Sequence, residues 1–147
     1  MKRSWKAAML ASAAVGALVL GGCGSDQGAS GDKPQVGVAI YKFDDTFMSG
    51  VRAEIDKAAK DKAKVDIVDS QNSQPTQNEK IDLFINKKYK AIGVNVVDRT
   101  AAGVIIDKAK AANIPLVFLN REPLKEDMAK WDKVYYVGAK AEQSGEM

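Results

Sequence analysis

Five short apolar runs alternate along the chain with stretches in which apolar residues return every three or four positions. The runs are QVGVAIY (35–41), KVDIVDS (64–70), KAIGVNVV (90–97), IPLVFLN (114–120) and KVYYVG (133–138). They are rich in Val and Ile, and several are almost continuously apolar, as strands covered on both faces are. Between them Phe47, Val51, Ile55 and Ala59 recur every fourth residue and predict a helix with one apolar stripe. Ile81, Phe84 and Ile85 predict a second, opened by Pro75 and Thr76. Ala101, Val104, Ile105, Lys108 and Ala112 predict a third, stopped by Asn113 and Pro115. Strand, helix, strand at this spacing implies right-handed crossovers and an α/β fold with a doubly wound parallel sheet.

The first residues carry a different pattern. MKRSWK holds Lys2, Arg3 and Lys6, and the following AAMLASAAVGALVL (7–20) has no charge. That run is short and Ala-rich for a bilayer span of roughly 20 residues, and a basic start before a short apolar core reads as an export signal. It ends in Leu20-Gly21-Gly22-Cys23, with the chain's one cysteine. These residues resemble the lipobox of bacterial lipoproteins, which implies signal removal after residue 22 and diacylglycerol on Cys23. The alternative is an ordinary signal with a stray cysteine. Several acyl chains would hold the protein durably at a membrane surface. Residues 24–34, GSDQGASGDKP, read as a flexible tether. The domain organisation expected is therefore signal 1–22, lipidated Cys23 and tether 23–34, an α/β domain 35–138, and a last segment 139–147.

This division changes the charge argument. The chain has 22 Lys and Arg against 19 Asp and Glu, but three of the bases fall in the signal, leaving an even balance. No basic block remains, so a nucleic-acid partner has no electrostatic support.

Ligands of open α/β sheets bind at the carboxyl ends of the strands near the switch in strand order. The loops there are KFDDTF, SQNSQPTQ, VDRT and NREPL, all polar. None contains GxGxxG or GxxxxGK[ST], which disfavours nucleotides. The chain has no histidine, which excludes Ser-His-Asp and Cys-His catalysis within it, and no His/Cys metal spacing exists. Asp44 and Asp45 are formally an acid/base pair, but sequence neighbours at a strand end point in different directions. No catalytic residue and no metal ligand is assigned, and no cofactor is expected in this chain. What remains suits a neutral polyhydroxylated ligand. Carboxylates and side-chain amides pair with vicinal hydroxyls, and an aromatic ring covers a patch of C–H groups. Asp45, Phe47 and Asn120 offer that set. Each also has a structural reading: Asp44 or Asp45 as helix cap, Phe47 as the start of the apolar stripe, Asn120 as a turn residue. Asn95 and Asp98 read as structural, with Asp98 capping the third helix, and Arg121 as a solvated loop residue.

Taken together, VGVAIYKFDDTFMSGVR, DSQNSQPTQNEKID, NVVDRTAAGVIIDKA, IPLVFLNREP and YYVGAKAEQSG resemble the bacterial galactose/glucose-binding proteins, substrate-binding components of sugar ABC importers with the periplasmic-binding-protein type I fold. The resemblance runs over residues 35 to 145. It implies a binder of hexoses and not an enzyme, exported to the cell envelope and serving ABC permease subunits. Asp45 and Asn120 would bond sugar hydroxyls and Phe47 would stack on the pyranose. Tyr41 would lie near the sugar, and Arg121, which stands where relatives carry lysine, would contact it. Asp44 would then be the residue that opens the helix. Gly138, Ala139 and Lys140 match the hinge that leads to a second lobe. The resemblance therefore also implies that this chain is truncated before that lobe, which would hold the rest of the sugar site and the family's calcium loop. The alternatives are a binder of another small sugar on the same fold, or a surface lipoprotein without ligand.

Overall fold

A computed structural model of the protein describes residues 32–139; the expectations placed on Cys23, on the chain up to residue 31 and on Lys140 lie outside them. The elements are β1 (Gln35–Ile40), α1 (Thr46–Ala59), β2 (Lys64–Asp69), α2 (Gln74–Asn86), β3 (Ala91–Val94), a 3-10 turn (Arg99–Ala101), α3 (Ala102–Ala112), β4 (Leu116–Leu119), α4 (Lys125–Met128) and β5 (Val134–Val137). The strands form one sheet in the order β2-β1-β3-β4-β5, every pair parallel. The chain leaves β1 on one side for β2 and crosses to the other side for β3. The switch point thus lies at the carboxyl ends of β1 and β3; Tyr41, Asp45 and Phe47 follow β1, and Asn120 and Arg121 follow β4, on the other side of β3.

Alternation in β1 shows how the two faces are built. Val38 and Ile40 pack with Met48 of α1, while Ala39 joins the larger core of Ile81, Phe84, Ile92, Ile105 and Phe118 beneath α2 and α3. Helix ends follow the local chemistry. Ser73 caps α2, its hydroxyl accepting from the Thr76 amide at 3.3 Å, with Pro75 in the first turn where no amide partner is needed. Asn113 ends α3 in the left-handed region (φ 54°), which an asparagine tolerates.

Two helical stripes differ from expectation. In α3 the buried residues are Ala102, Gly103, Ile105, Ile106 and Ala109, while Val104 and Ala112 are exposed. The 3-10 turn ahead of α3 advances by about 3.0 residues per turn rather than about 3.6, so a phase counted from Ala101 does not carry into the helix. Asp98 caps that 3-10 turn, accepting from the Thr100 amide at 2.9 Å. In α1 the fully buried anchor is Met48, and Phe47 is 65% exposed. Helix α1 covers only part of its sheet face. Beyond it Phe47, Val51, Ile55, Leu119 and Val137 line an open apolar groove of about 540 Å³. The four-residue α4 was not expected, being too short to show a period.

Candidate ligand-binding site

Beneath the loops at the carboxyl edge lies a buried polar layer. Gln77 of α2 is fully buried, and its Nε2 donates to Ser70 Oγ (3.2 Å) and the Asn95 carbonyl (3.0 Å) while its Oε1 accepts from the Val97 amide (3.0 Å). Asn95, also fully buried, accepts from the Tyr41 amide (3.3 Å) and donates to the Leu119 carbonyl (3.0 Å). Buried amides left unpaired are costly; here each one ties strand ends together.

On this floor stand Tyr41, Asp45 and Arg121. Asp45 is the N-cap of α1: its Oδ1 accepts from the Met48 amide at 2.8 Å and its Oδ2 from the Tyr41 hydroxyl. Asp44 is not the helix-opening residue expected; it points outward and pairs with Lys42 at 3.2 Å. The reason is geometric, since only the residue immediately before α1 reaches the free amides of its first turn. The Tyr41 hydroxyl and then the Met48 amide hold the Asp45 carboxyl below the usual carboxylate range, and the bond to Asp45, with burial, raises the Tyr41 phenol. Capping does not exhaust Asp45. A carboxylate offers about four lone-pair directions, and the two bonds leave capacity for ligand hydroxyls.

Arg121 is not simply solvated. Its guanidinium lies 3.9 Å from the centre of the Tyr41 ring, and its Nη1 donates to the carbonyls of Val96 (3.2 Å) and Val97 (2.9 Å). It therefore covers the Tyr41 ring, which is buried, so Tyr41 faces the site through its hydroxyl edge.

The rim is made by Phe47 and Asn120. Asn120 follows β4 with φ 60°, and its Nδ2 lies 3.8 Å from Met48 Sδ. Asp45 and Asn120 thus both touch Met48, one residue from the exposed Phe47 ring. The three groups share one edge of the sheet. Tyr136 of β5, which sequence reasoning did not single out, places its hydroxyl 3.0 Å from the Asn120 carbonyl and 3.1 Å from that of Ala139. A single hydroxyl proton can serve only one of them at a time. Gly138 lies against the Tyr136 ring, where an added Cβ would collide with it. The exit segment at Gly138 and Ala139 is in this way tied to the site.

The periplasmic binding protein domain profile matches residues 36–147. The chain belongs to the periplasmic binding protein domain family. Within it, the chain is 45% identical over 113 residues to the D-galactose/methyl-galactoside binding periplasmic protein of Haemophilus influenzae, covering 76% of this chain and 34% of that one. It is 28% identical over 95 residues to the ribose import binding protein of Bacillus subtilis, covering 63% and 31%. Among solved structures, an ABC transporter solute binding protein of Bacillus halodurans with bound myo-inositol superposes with a TM-score of 0.64 at 25% identity, covering 77% and 38%. A Clostridium phytofermentans solute binding protein with bound β-D-glucose gives 0.66 at 23%, covering 76% and 33%, a likeness of fold. The chain spans about a third of the length of the curated relatives it matches. All four are binding proteins by name, not enzymes.

Gln77 and Tyr136 carried no sequence signal that sets them apart from other polar residues of a helix and a strand. Only the sheet order brings Gln77 under the switch point.

Proposed function

We propose that this chain supplies one wall of a sugar site in a substrate-binding component of an ABC importer, and that the sugar is a hexose of the galactose/glucose type. One observation supports the reading: Asp45, after β1, and Asn120, after β4, both reach Met48, whose neighbour Phe47 exposes its ring at the same carboxyl edge of the sheet. A surface that puts an apolar ring in water gains by covering it with the C–H face of a pyranose, while Asp45 and Asn120 take its hydroxyls. The 45% identity to a D-galactose/methyl-galactoside binding protein supports galactose ahead of ribose or inositol. Arg121 and the Tyr41 hydroxyl contribute at the edge of the same site. Gly138, Ala139 and Lys140 act as the hinge to a second lobe, where the rest of the sugar contacts and the family's calcium site would lie, and the closed pair of lobes is what ABC permease subunits recognise. Cys23 carries the lipid that keeps the protein at the cell envelope.

The test is an NMR titration of the ¹⁵N-labelled chain against galactose, glucose, ribose and myo-inositol. Galactose or glucose should shift the amides of Phe47, Met48 and Asn120, and Asp45→Ala should abolish those shifts. Stronger shifts with ribose or inositol would replace the hexose assignment, and no shift with any of the four would defeat the sugar reading.

A further inference from the structure

At the site edge the sheet's backbone ladder stops one residue short of the loops. The last pairs are Ala39 with Val94 and Val94 with Phe118. The next rung on each side is made by one side chain. Asn95 Oδ1 accepts from the Tyr41 amide just beyond β1, and Asn95 Nδ2 donates to the Leu119 carbonyl at the end of β4. Its own backbone is also spoken for: its amide donates to the Ala39 carbonyl at 2.9 Å, and its carbonyl accepts from Gln77. With no exposed surface and its amide engaged at both ends, Asn95 is not placed to contact a ligand.

We infer that Asn95 is a positioning residue for the site, fixing the loop that ends in Asp45, at the start of α1, relative to the loop that carries Asn120. The inference rests on the sugar-binding reading for its functional consequence. The Leu119 carbonyl belongs to the peptide group whose nitrogen is that of Asn120. That plane is held at its oxygen by Asn95 Nδ2 and by the Arg121 amide (2.6 Å), and at its nitrogen by the bond from the Asn120 amide to the Val137 carbonyl, at 3.0 Å. Its tilt sets where the Asn120 side chain, in its left-handed backbone conformation, points. On the other side the Tyr41 amide begins the loop that ends in the Asp45 cap. Only a side chain with a donor and an acceptor on one rigid plane bridges both neighbours. An aspartate would set an oxygen against the Leu119 carbonyl, and a serine is too short to reach both sides.

The experiment compares wild type, Asn95→Ser, Asn120→Ala, the double variant, and Phe84→Leu, which weakens the core on the helix-covered face. Without ligand, Asn95→Ser should speed hydrogen exchange at the Tyr41 and Asn120 amides, and Phe84→Leu at matched stability should not. With galactose, Asn95→Ser should bind roughly tenfold more weakly, and adding Asn120→Ala should cost little more, because the first change has already misplaced that side chain. Phe84→Leu should keep wild-type affinity. Unchanged exchange at Tyr41 and Asn120, wild-type affinity in Asn95→Ser, or losses that multiply in the double variant would each overturn the inference. Should wild type bind no sugar, the sugar reading fails and the ligand-free exchange still decides whether Asn95 holds the two segments together. Should Asn95→Ser not fold, exchange of the Asn95 side-chain amide protons in wild type decides it. Protection supports the bridge, and exchange as fast as that of an exposed amide refutes it.

Discussion

Truncating two phenylalanines to alanine should have opposite consequences, and the difference can be worked from their surroundings. Phe47 is 65% exposed, so about a third of a side chain of roughly 200 Å² leaves water on folding. At about 25 cal/mol per Å² that burial contributes at most about 1.8 kcal/mol. Alanine's better helix propensity returns about half a kcal/mol, leaving a net loss of about 1 kcal/mol for Phe47→Ala. Phe84 is 1% exposed, and its ring stacks on Tyr89 with centroids 5.1 Å apart. Its truncation leaves a cavity in the larger core and should cost about 3–5 kcal/mol. Urea denaturation followed by circular dichroism measures both losses. The galactose titration should then invert the ranking. Phe47→Ala, though well folded, loses the response several-fold or more, while any folded fraction of Phe84→Ala retains it. If Phe47→Ala destabilises as much as Phe84→Ala, the ring belongs to the core. If it leaves the galactose response intact, the stacking role is wrong.

Two further outcomes test the packing and electrostatics around the same core. A Cβ added at Gly37 would fall 2.5 Å from the Phe84 ring, so Gly37→Ala should cost about 1–3 kcal/mol and be partly rescued by Phe84→Leu; an unchanged urea midpoint would refute this. The Tyr89 phenol is pushed up to about 12 by its hydrogen bond to Asp66 and by burial. An unfolded tyrosine ionises near about 10. The contribution of this bond is therefore complete below that value and is lost as pH rises toward about 12. Tyr89→Phe should flatten that part of the stability-versus-pH curve, and an identical slope in the variant would show that the bond is not what Tyr89 contributes.

The parallel sheet was legible because burial on both faces leaves a signal in every strand: near-continuous Val and Ile. The positions of Asp45, Phe47 and Asn120 were legible because each sits beside the end of an element. Phase was harder to read. An apolar residue in helical register can face either the core or an open flank, and only the lateral extent of α1 over the sheet decides that Phe47 stays in water while its neighbour Met48 does not. Gln77 and Asn95 were harder still. Their importance comes from bonds across 7 to 54 positions of chain, and no local pattern encodes those.

Asp45 shows why structural and functional readings of one residue need not compete. As an N-cap it receives the Met48 amide, and through Tyr41 and Arg121 it is joined to the carbonyls of Val96 and Val97. Those bonds fix the carboxylate in one orientation and hold it ionised, and they still leave acceptor directions open. On the proposed reading, a ligand hydroxyl would meet a group that has already lost its rotational freedom, so less ordering would remain to be done on binding. The cap would in this sense be part of the proposed site. The same reasoning extends inward to Asn95, whose side chain joins the Tyr41 amide to the Leu119 carbonyl and so ties the segment before Asp45 to the one before Asn120.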